Sequence, residues 1–246
     1  MPRPVAACRL PAVNHAKISE RAALVRDRIR RAAERVDRDP TAVAILPITK
    51  GHSAETAAEV VAAGFDRIGE NRVAEAESKR QALSDFDVAW HMVGHVQRNK
   101  ASQVVRTFDL VESVDSIRLA VRLSETCEQA SRGPLPVLVQ INASGEIAKG
   151  GFAVAEAFDS IVEICDLPGL NVLGIMTMAP FVSDPGQLRT VFRRTRTLFD
   201  RCGETLPGFT AGVLSMGMSN DFEIAVEEGS TELRLGTILV GERPGK

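Results

Sequence analysis

A single lysine, Lys50, ends the apolar run "VAILPITK" at residues 43–50, and Gly51 follows it. The uncharged residues before it are rich in strand formers, so we expect a buried strand whose end carries an amine. A partly desolvated lysine loses its proton more easily, and the neutral amine can attack a carbonyl to form a Schiff base. The alternative is a lysine that extends into solvent. A substrate carbonyl, as in a class I aldolase, and a cofactor carbonyl both fit this signal.

The second candidate site is "LSMGMSND" at residues 214–221, where two hydroxyl groups flank a glycine just before a predicted helix. N–H groups at the start of a helix favour a phosphate, and a glycine lets the anion approach the backbone. The alternative is an ordinary loop in which Ser219 or Asn220 caps the helix. We favour the phosphate, because "RLGT" at residues 234–237 lies nearby on the last strand. A phosphate together with a Schiff-base lysine predicts pyridoxal 5′-phosphate (PLP) or a phosphosugar.

Other polar residues give weaker signals. His91 and His95 are four residues apart, but the segment is typical of strand and turn rather than helix, so we predict no metal-binding pair. The glycine-bearing loop "GEIAKGGF" contains Lys149, which could reach toward the strand ends. The charge-rich segments "RVAEAESKR" and "FRRTRTLFDR" are interpreted as solvated outer faces of helices.

Composition excludes several classes of function. Lys and Arg number 30 against 32 Asp and Glu, so no basic field attracts nucleic acid or a membrane surface. The four cysteines are scattered, which favours buried, inert thiols in a reducing compartment over disulfides or zinc. No segment resembles a signal peptide or a transmembrane helix, so we expect a cytoplasmic protein. There is no tyrosine, which excludes a phenol of this chain as acid or base.

The elements that must position these residues alternate along the chain. Short apolar runs alternate with amphipathic helical segments in eight units, provided that the N-terminal helix "HAKISERAALVRDRIRRAAERV" closes the last one. This pattern predicts an α/β fold, a TIM-type (β/α)8 barrel; an open doubly wound sheet is the alternative. We predict one domain over residues 1–246, with residues 1–14 as a flexible N-terminal extension.

In such a barrel the functional site lies at the carboxyl ends of the strands. Applied strand by strand, this rule brings polar residues to one rim. In order, the strand ends supply Lys50; Gly69 to Asn71; Trp90 to His95; Glu112, Ser113 and Asp115; Asn142; Met176 and Thr177; and Ser215 to Ser219. The eighth strand contributes Arg234 from its start, with Gly236 and Thr237 after it.

Several of these motifs occur together in a known family. "PITKG", "GENRVAEA", "WHMVGHVQRNK", "VESVDS", "VQINASGEIAKGGF", "GIMTMAP", "LSMGMSNDFEIAVEEGSTELRLGT" and the final "GER" follow one another from Ile45 to Arg243. In this order they resemble the pyridoxal phosphate homeostasis proteins (YggS/PROSC-type), which are similar to the N-terminal barrel of alanine racemase standing alone. The resemblance implies a fold type III PLP-binding barrel.

The resemblance also implies roles for individual residues. Lys50 would hold PLP covalently as a Schiff base, and Arg234 would face the pyridine nitrogen. Ser215, Ser219, Gly236 and Thr237 would hold the phosphate. The other implied cofactor contacts are Asn71, His91, Met176 and Met218. No catalytic residue and no metal ligand is implied. Two positions depart from the family: His52 and Ser53 replace a lysine and a proline, and "AKGGF" replaces "SKSGI" while keeping Lys149.

Two functions remain open. The first is a protein that binds PLP and buffers or delivers it, with PLP-dependent apo-enzymes as transient partners and a monomer or weak homodimer as its state. The second is a weakly active, racemase-like PLP enzyme. An arginine facing the ring nitrogen disfavours its protonation and weakens the cofactor as an electron sink. Racemases of the resembling fold compensate with a tyrosine from a second domain, which this chain lacks, so we favour the carrier. A phosphosugar aldolase is a weaker third hypothesis.

Overall fold

The structure is a computed structural model, and it describes residues 15–146 and 150–243. Two sequence predictions lie outside these residues: the flexible extension at residues 1–14 and the reach of Lys149. Among the described residues, no helix combines the length and the apolar character needed to cross a bilayer.

Within the described residues, nine strands and nine α-helices follow one another, and all but β5 and β6 are separated by a helix. The strands are β1 (Ala44–Pro47), β2 (Arg67–Glu70), β3 (Ala89–Met92), β4 (Leu110–Val114), β5 (Leu135–Asn142), β6 (Phe152–Ala153), β7 (Leu170–Thr177), β8 (Phe209–Ser215) and β9 (Glu232–Leu235). The helices are α1 (His15–Glu34), α2 (Ala54–Ala62), α3 (Val73–Ala82), α4 (Ala101–Thr107), α5 (Ile117–Gln129), α6 (Val154–Cys165), α7 (Pro185–Thr205), α8 (Phe222–Glu227) and α9 (Thr237–Val240). Short 3-10 turns lie at Pro40–Ala42 and Arg98–Lys100.

The strands form one parallel barrel. Neighbours follow the order β1, β9, β8, β7, β5, β4, β3, β2, and the two-residue β6 pairs with β5 outside this ring. A parallel bridge between Ile48 and Gly69 joins β1 to β2 and closes the ring. A Cβ on Gly69 would lie 2.5 Å from Cδ1 of Ile48, so a larger residue at this seam would displace the Ile48 side chain. The predicted TIM-type barrel is confirmed, and the alternative of an open sheet is wrong.

Helix α1 covers the gap between the last and first units, as predicted. It packs against α8, α9 and α2. Its buried face consists of Ile18, Ala22, Val25 and Ile29, which recur at the spacing of one helical face. The helix that precedes β1 in the sequence therefore serves as the closing layer for β9.

The predicted C-terminal end of the last strand is incorrect. The run "STELRLGTILVG", which includes the "RLGT" that we placed on the last strand, is predicted from its composition to be strand throughout, but β9 ends at Leu235 and Thr237–Val240 is the helix α9. Threonine, isoleucine and valine favour strands, so local composition pointed the wrong way. Gly236 separates the two elements, with φ −99° and ψ −99°. The turn brings the start of α9 to the barrel mouth.

The cysteines fit the predicted inert thiols where the structure describes them. Cys127, Cys165 and Cys202 are free, and Cys127 and Cys202 are buried. Burial raises the pKa of Cys165 and of Cys202 to about 11. Such thiols carry little thiolate at neutral pH, so they are poor nucleophiles.

Candidate functional site

Lys50 lies just beyond β1, at the carboxyl end of the barrel, and is half-buried. Burial lowers the pKa of its amine most, and the charges of Arg243 and Arg234 lower it further. The carboxylate of Glu70 acts in the opposite direction but does not cancel the shift. At neutral pH Lys50 therefore has a larger neutral, nucleophilic fraction than an exposed lysine.

Side chains of β2 and α3 hold the backbone on both sides of Lys50. Nζ of Lys79 donates to the carbonyl oxygen of Thr49 at 2.8 Å. The amide N–H of Gly51 donates to Oε2 of Glu75 at 2.9 Å. Gly51 has φ +73°, a left-handed conformation that glycine adopts without strain. The turn around Lys50 is thus fixed before and after the lysine.

Lys79 corrects one interpretation from the sequence. We took the charged segment of α3 for a solvated face, but Lys79 is only 4% exposed. Its Nζ lies 2.5 Å from Oε1 of Glu70, which also accepts a hydrogen bond from Oγ1 of Thr49 at 2.5 Å. Lys79 stands three residues after buried Ala76 and four before buried Leu83. That apolar period was the signal that places it on the inner face of the helix.

Arg234 is fixed inside the barrel on β9. Its guanidinium donates to Oγ of Ser215 at 2.8 Å and to the carbonyl oxygen of Thr177 at 2.7 Å. Oγ of Ser215 in turn donates to Oε2 of Glu112 at 2.7 Å, and Nδ1 of His91 lies 3.0 Å from Oε1 of the same carboxylate. A continuous network therefore runs across the barrel from β9 to β3.

Ser215 occupies the middle of this network and is fully buried. Its hydroxyl already has a donor in Arg234 and an acceptor in Glu112. In this position it links two charged groups, which differs from the phosphate contact expected for it. His91 is likewise buried against Glu112, below the rim rather than on it.

A buried group of three titratable residues surrounds the inner end of the network. Ligand atoms of His91, Glu112 and Glu232 lie within 4.8 Å of one another. These are donor types found in metal sites, but Arg67 lies 3.5 Å from Glu232 and Arg234 reaches Glu112 through Ser215. Guanidinium charge already balances the carboxylates, so we interpret the group as a buried, charge-balanced cluster; Oε1 of Glu232 accepts no hydrogen bond from the described residues.

The pKa values in this group move in different directions. Burial raises the pKa of Glu232 to about 7, and the charge of Glu112 adds to the rise. Burial also opposes ionisation of Glu112, yet its hydrogen bond with His91 and the charges of His91 and Arg234 lower its pKa. Burial alone would lower the pKa of His91, but Glu112 and Glu232 raise it. The network therefore favours an ionised Glu112 beside a protonated Glu232 in mildly acidic solution.

The second candidate motif lies where β8 and β9 end. Oγ of Ser219 accepts a long hydrogen bond, 3.5 Å, from the N–H of Ile238, and Ser219 is half-buried. Asp221, rather than Ser219 or Asn220, is the N-cap residue of α8, and it accepts the N–H of Met218 at 2.5 Å. Hydroxyl groups and the first N–H groups of α9, at Thr237 and Ile238, therefore meet at one point of the rim.

Gly217 and Gly236 in this region are glycines for different structural reasons. A Cβ on Gly217 would lie 2.6 Å from Cβ of Ala225, and Gly217 has φ +99°. Its lack of a side chain is therefore explained by turn geometry and packing of α8. A Cβ on Gly236 would meet only Ile48, at 3.7 Å or more, so the space beside its backbone is open. Gly236 rather than Gly217 leaves room for a ligand.

Asn71 and Met176 lie at different depths. Asn71 is half-buried and lines a cavity of about 340 Å³ beside α3 and the segment 92–104, which none of the other predicted cofactor contacts line. Its backbone packs on Gly94, where an added Cβ would lie 2.3 Å from the carbonyl oxygen of Asn71. Met176 is fully buried in the barrel interior with Leu110 and Leu138. Asn71 can contact a ligand at the rim, whereas Met176 forms the apolar floor.

Of the predicted site residues, the structure thus brings Lys50, Asn71, Met218, Ser219, Gly236 and Thr237 to the mouth of the barrel and places His91, Met176, Ser215 and Arg234 in its buried interior. Nearby, His95 is exposed and pairs with Asp115 at 2.8 Å. The residues that sequence reasoning missed are Glu75 and Lys79, which hold the turn at Lys50.

Comparison with known proteins agrees with this architecture. Residues 22–244 match the family described as alanine racemase, N-terminal domain. The pyridoxal phosphate homeostasis protein of Aquifex aeolicus is 36% identical over 226 residues, which is 91% of this chain and 97% of the relative. The protein of the same name from Pseudomonas aeruginosa is 37% identical over 228 residues, covering 92% and 96%.

Solved structures give the same result. PipY of Synechococcus elongatus, solved with PLP bound, superposes with a TM-score of 0.79 at 33% identity and covers 91% of this chain and 100% of its own. Alanine racemase of Clostridium difficile has a TM-score of 0.73 at 15% identity, and the match covers 95% of this chain and 61% of the racemase. The racemase shows the shared barrel fold alone. The chain belongs to the alanine racemase N-terminal domain family and, within it, to the pyridoxal phosphate homeostasis proteins.

Proposed function

We propose that this protein binds PLP as a Schiff base on Lys50 and buffers or delivers it, without robust catalysis. The observation that carries the proposal is the state of Lys50: a half-buried amine at the barrel mouth whose pKa is lowered by burial and by Arg243 and Arg234. Such an amine is available to a carbonyl at neutral pH. The names of the relatives and the PLP in PipY support PLP as the source of that carbonyl.

The residues around Lys50 fit the two ends of the cofactor. The open space at Gly236, the hydroxyl groups of Ser219 and Thr237 and the N–H groups that begin α9 suit a phosphate. Asn71 lies on the rim, with Met176 in the floor below. Bound PLP would supply an aldehyde for the amine and an electron-withdrawing ring.

Arg234 supports a carrier rather than an enzyme. Two hydrogen bonds hold its guanidinium, and a guanidinium stays protonated. A pyridine nitrogen facing such a group would remain unprotonated, which limits the ring as an electron sink. The sequence also contains no tyrosine to act as a second base. Weak racemase-like activity is the competing proposal, and the shared fold is what favours it.

The first experiment is an absorption spectrum of the purified protein with PLP, before and after borohydride reduction, followed by peptide mapping. We expect a visible band that reduction fixes as an adduct on Lys50. A protein that takes up no PLP would overturn the proposal. Racemisation and transamination assays on the same sample then separate the two functions: turnover comparable to that of a dedicated enzyme would contradict the carrier.

A further inference from the structure

We propose that Glu75 and Lys79, one turn apart on α3, are positioning residues for Lys50: they hold the peptide groups on either side of it and so fix the direction of its amine. This inference deepens the proposed function, because it rests on Lys50 as the reactive group. Neither residue is assigned a contact with the cofactor. Both act through the backbone of the turn.

The contacts are arranged on both sides of the lysine. Before Lys50, the carbonyl oxygen of Thr49 accepts from Nζ of Lys79 at 2.8 Å. After Lys50, the N–H of Gly51 donates to Oε2 of Glu75 at 2.9 Å. Residues four apart lie on the same face of a helix, so one face of α3 reaches both peptide groups. Because the peptide units before and after Lys50 are held, rotation of the intervening backbone is restricted.

A third contact ties the same turn to the barrel. Oγ1 of Thr49 donates to Oε1 of Glu70 at 2.5 Å, and Lys79 pairs with the same oxygen at 2.5 Å. Oε2 of Glu70 is buried and accepts no hydrogen bond from the residues that the structure describes. The charge of Glu70 also acts on Lys50, whose pKa it raises against the effect of burial. We call Glu70, Glu75 and Lys79 the clamp. It acts on Lys50 through the charge of Glu70 as well as through hydrogen bonds to the neighbouring backbone.

The energetic cost of this arrangement argues for a positioning role. Glu70 and Lys79 are both almost fully buried, at 0% and 4% exposure. Taking an ion pair out of water often costs more than the attraction returns, and apolar residues of similar size would be as stable or more so. Stability alone thus does not explain a lysine at this place in α3. The bond from its amine to the carbonyl before Lys50 does, since an apolar side chain could not make it.

The test uses Glu75, because it lies on the surface side of the clamp and its loss leaves no buried charge. Glu75→Ala removes the acceptor of the Gly51 amide, Glu75→Gln keeps an acceptor, and Glu77→Ala on the same helix is the matched control. Glu77 contacts Thr107 at 3.3 Å and none of the residues around Lys50 that the structure describes. The full-length chain is measured first without PLP.

Two readouts follow the turn directly. In Glu75→Ala, hydrogen exchange of the Gly51 amide should quicken about fivefold, the effect of losing one ordinary hydrogen bond. The midpoint pH for competitive acetylation of Lys50 should move upward, because a Lys50 whose backbone is less restrained is better solvated, and solvation favours its charged form. Glu75→Gln should restore both values, and Glu77→Ala should leave both unchanged. If Glu75→Ala matches the wild type, or if Glu77→Ala behaves like Glu75→Ala, the clamp is wrong.

Lys79 is tested in a double variant, Glu70→Gln with Lys79→Met, which leaves no unpaired buried charge. We expect the borohydride-trapped adduct with PLP to form about tenfold more slowly when rates are compared at equal fractions of neutral Lys50, because Glu70→Gln also removes a charge that raises the pKa of Lys50; small displacements of a reacting group have effects of this order or larger. A wild-type rate would overturn the role of Lys79. If the wild-type protein forms no adduct but the Glu75 variants shift the acetylation midpoint, the clamp stands and the proposed function fails. The reverse pattern retains the function and rejects the clamp.

Discussion

The guanidinium of Arg234 donates to the hydroxyl of Ser215 at 2.8 Å, and this hydroxyl in turn donates to the carboxylate of Glu112. Arg234 is also held by the carbonyl oxygen of Thr177, at 2.7 Å. Its orientation is therefore determined by groups of the barrel interior. Glu112, in return, depends on Arg234 and His91 for its charge balance.

We expect Arg234→Met to lower the free energy of unfolding by about 3–5 kcal/mol at pH 7, because it leaves Glu112 buried with less compensating charge. Urea unfolding measures this loss. Arg122→Met is the matched control: Arg122 pairs with Glu125 at the surface, where an ion pair contributes about 1 kcal/mol or less. Equal losses in the two variants would contradict the buried network.

Glu232 predicts a specific pH dependence. Burial raises its pKa from 4.5 to about 7, so between these pH values the folded protein keeps a proton that the unfolded chain has lost. This group therefore makes the protein less stable as the pH rises from 4.5 to 7, by roughly 3 kcal/mol at 1.36 kcal/mol per unit. Below 4.5 and above 7 its contribution is flat.

Glu232→Gln removes this titration and keeps the shape of the protonated side chain. The variant should match the wild type near pH 4 and become the more stable of the two as the pH approaches 7. The charged groups that face Glu232, namely Glu112, His91, Arg67 and Arg234, are present in both proteins, so the difference between the two curves reports Glu232. Parallel curves from urea unfolding across this range would show that Glu232 does not hold the proton.

Gly94 positions Asn71. Gly94→Ala places a Cβ 2.3 Å from the carbonyl oxygen of Asn71, and the clash should cost about 1–3 kcal/mol and displace Asn71 from the rim. The melting temperature and the affinity for PLP should both fall. Gly133→Ala is the control, because a Cβ there meets nothing within 4 Å, and its effect should stay within about 1 kcal/mol. An unchanged affinity in a destabilised Gly94→Ala would remove Asn71 from the proposed site.

Lys50→Ala should abolish the covalent adduct while the barrel still folds, because the side chain is half-buried at the rim and carries no packing of the core. Borohydride reduction and peptide mapping detect the adduct, and circular dichroism checks the fold. Lys17→Ala, on the exposed face of α1, should behave like the wild type. An adduct that persists in Lys50→Ala would assign the chemistry to another amine.

The barrel could be predicted from the sequence because the pattern of each strand and helix is visible in a short stretch of residues. Strands that are covered on both faces consist mainly of apolar residues, and the helices between them must be amphipathic. Helix α9 could not be predicted, since Thr237 to Val240 are residues that favour strands and only the turn at Gly236 redirects them.

The site was predictable only to the level of the strand ends. Lys50 follows from that rule, but the partners of Ser215 lie 103 and 19 residues away in the sequence. No periodicity encodes such pairs. Lys79 was misjudged because a lysine in a charged helix normally faces solvent, and here a buried carboxylate and a carbonyl group receive it instead.

The pairing of β1 with β9, with Leu46 opposite Arg234, joins opposite ends of the amino-acid sequence. Synthesis proceeds from the N-terminus, so Lys50 leaves the ribosome long before the strand that completes its surroundings. A nascent or prematurely terminated chain that lacks β9 carries the lysine but not Arg234, Gly236 or Thr237. A ligand held by both Lys50 and these residues would therefore require that translation and ring closure are complete.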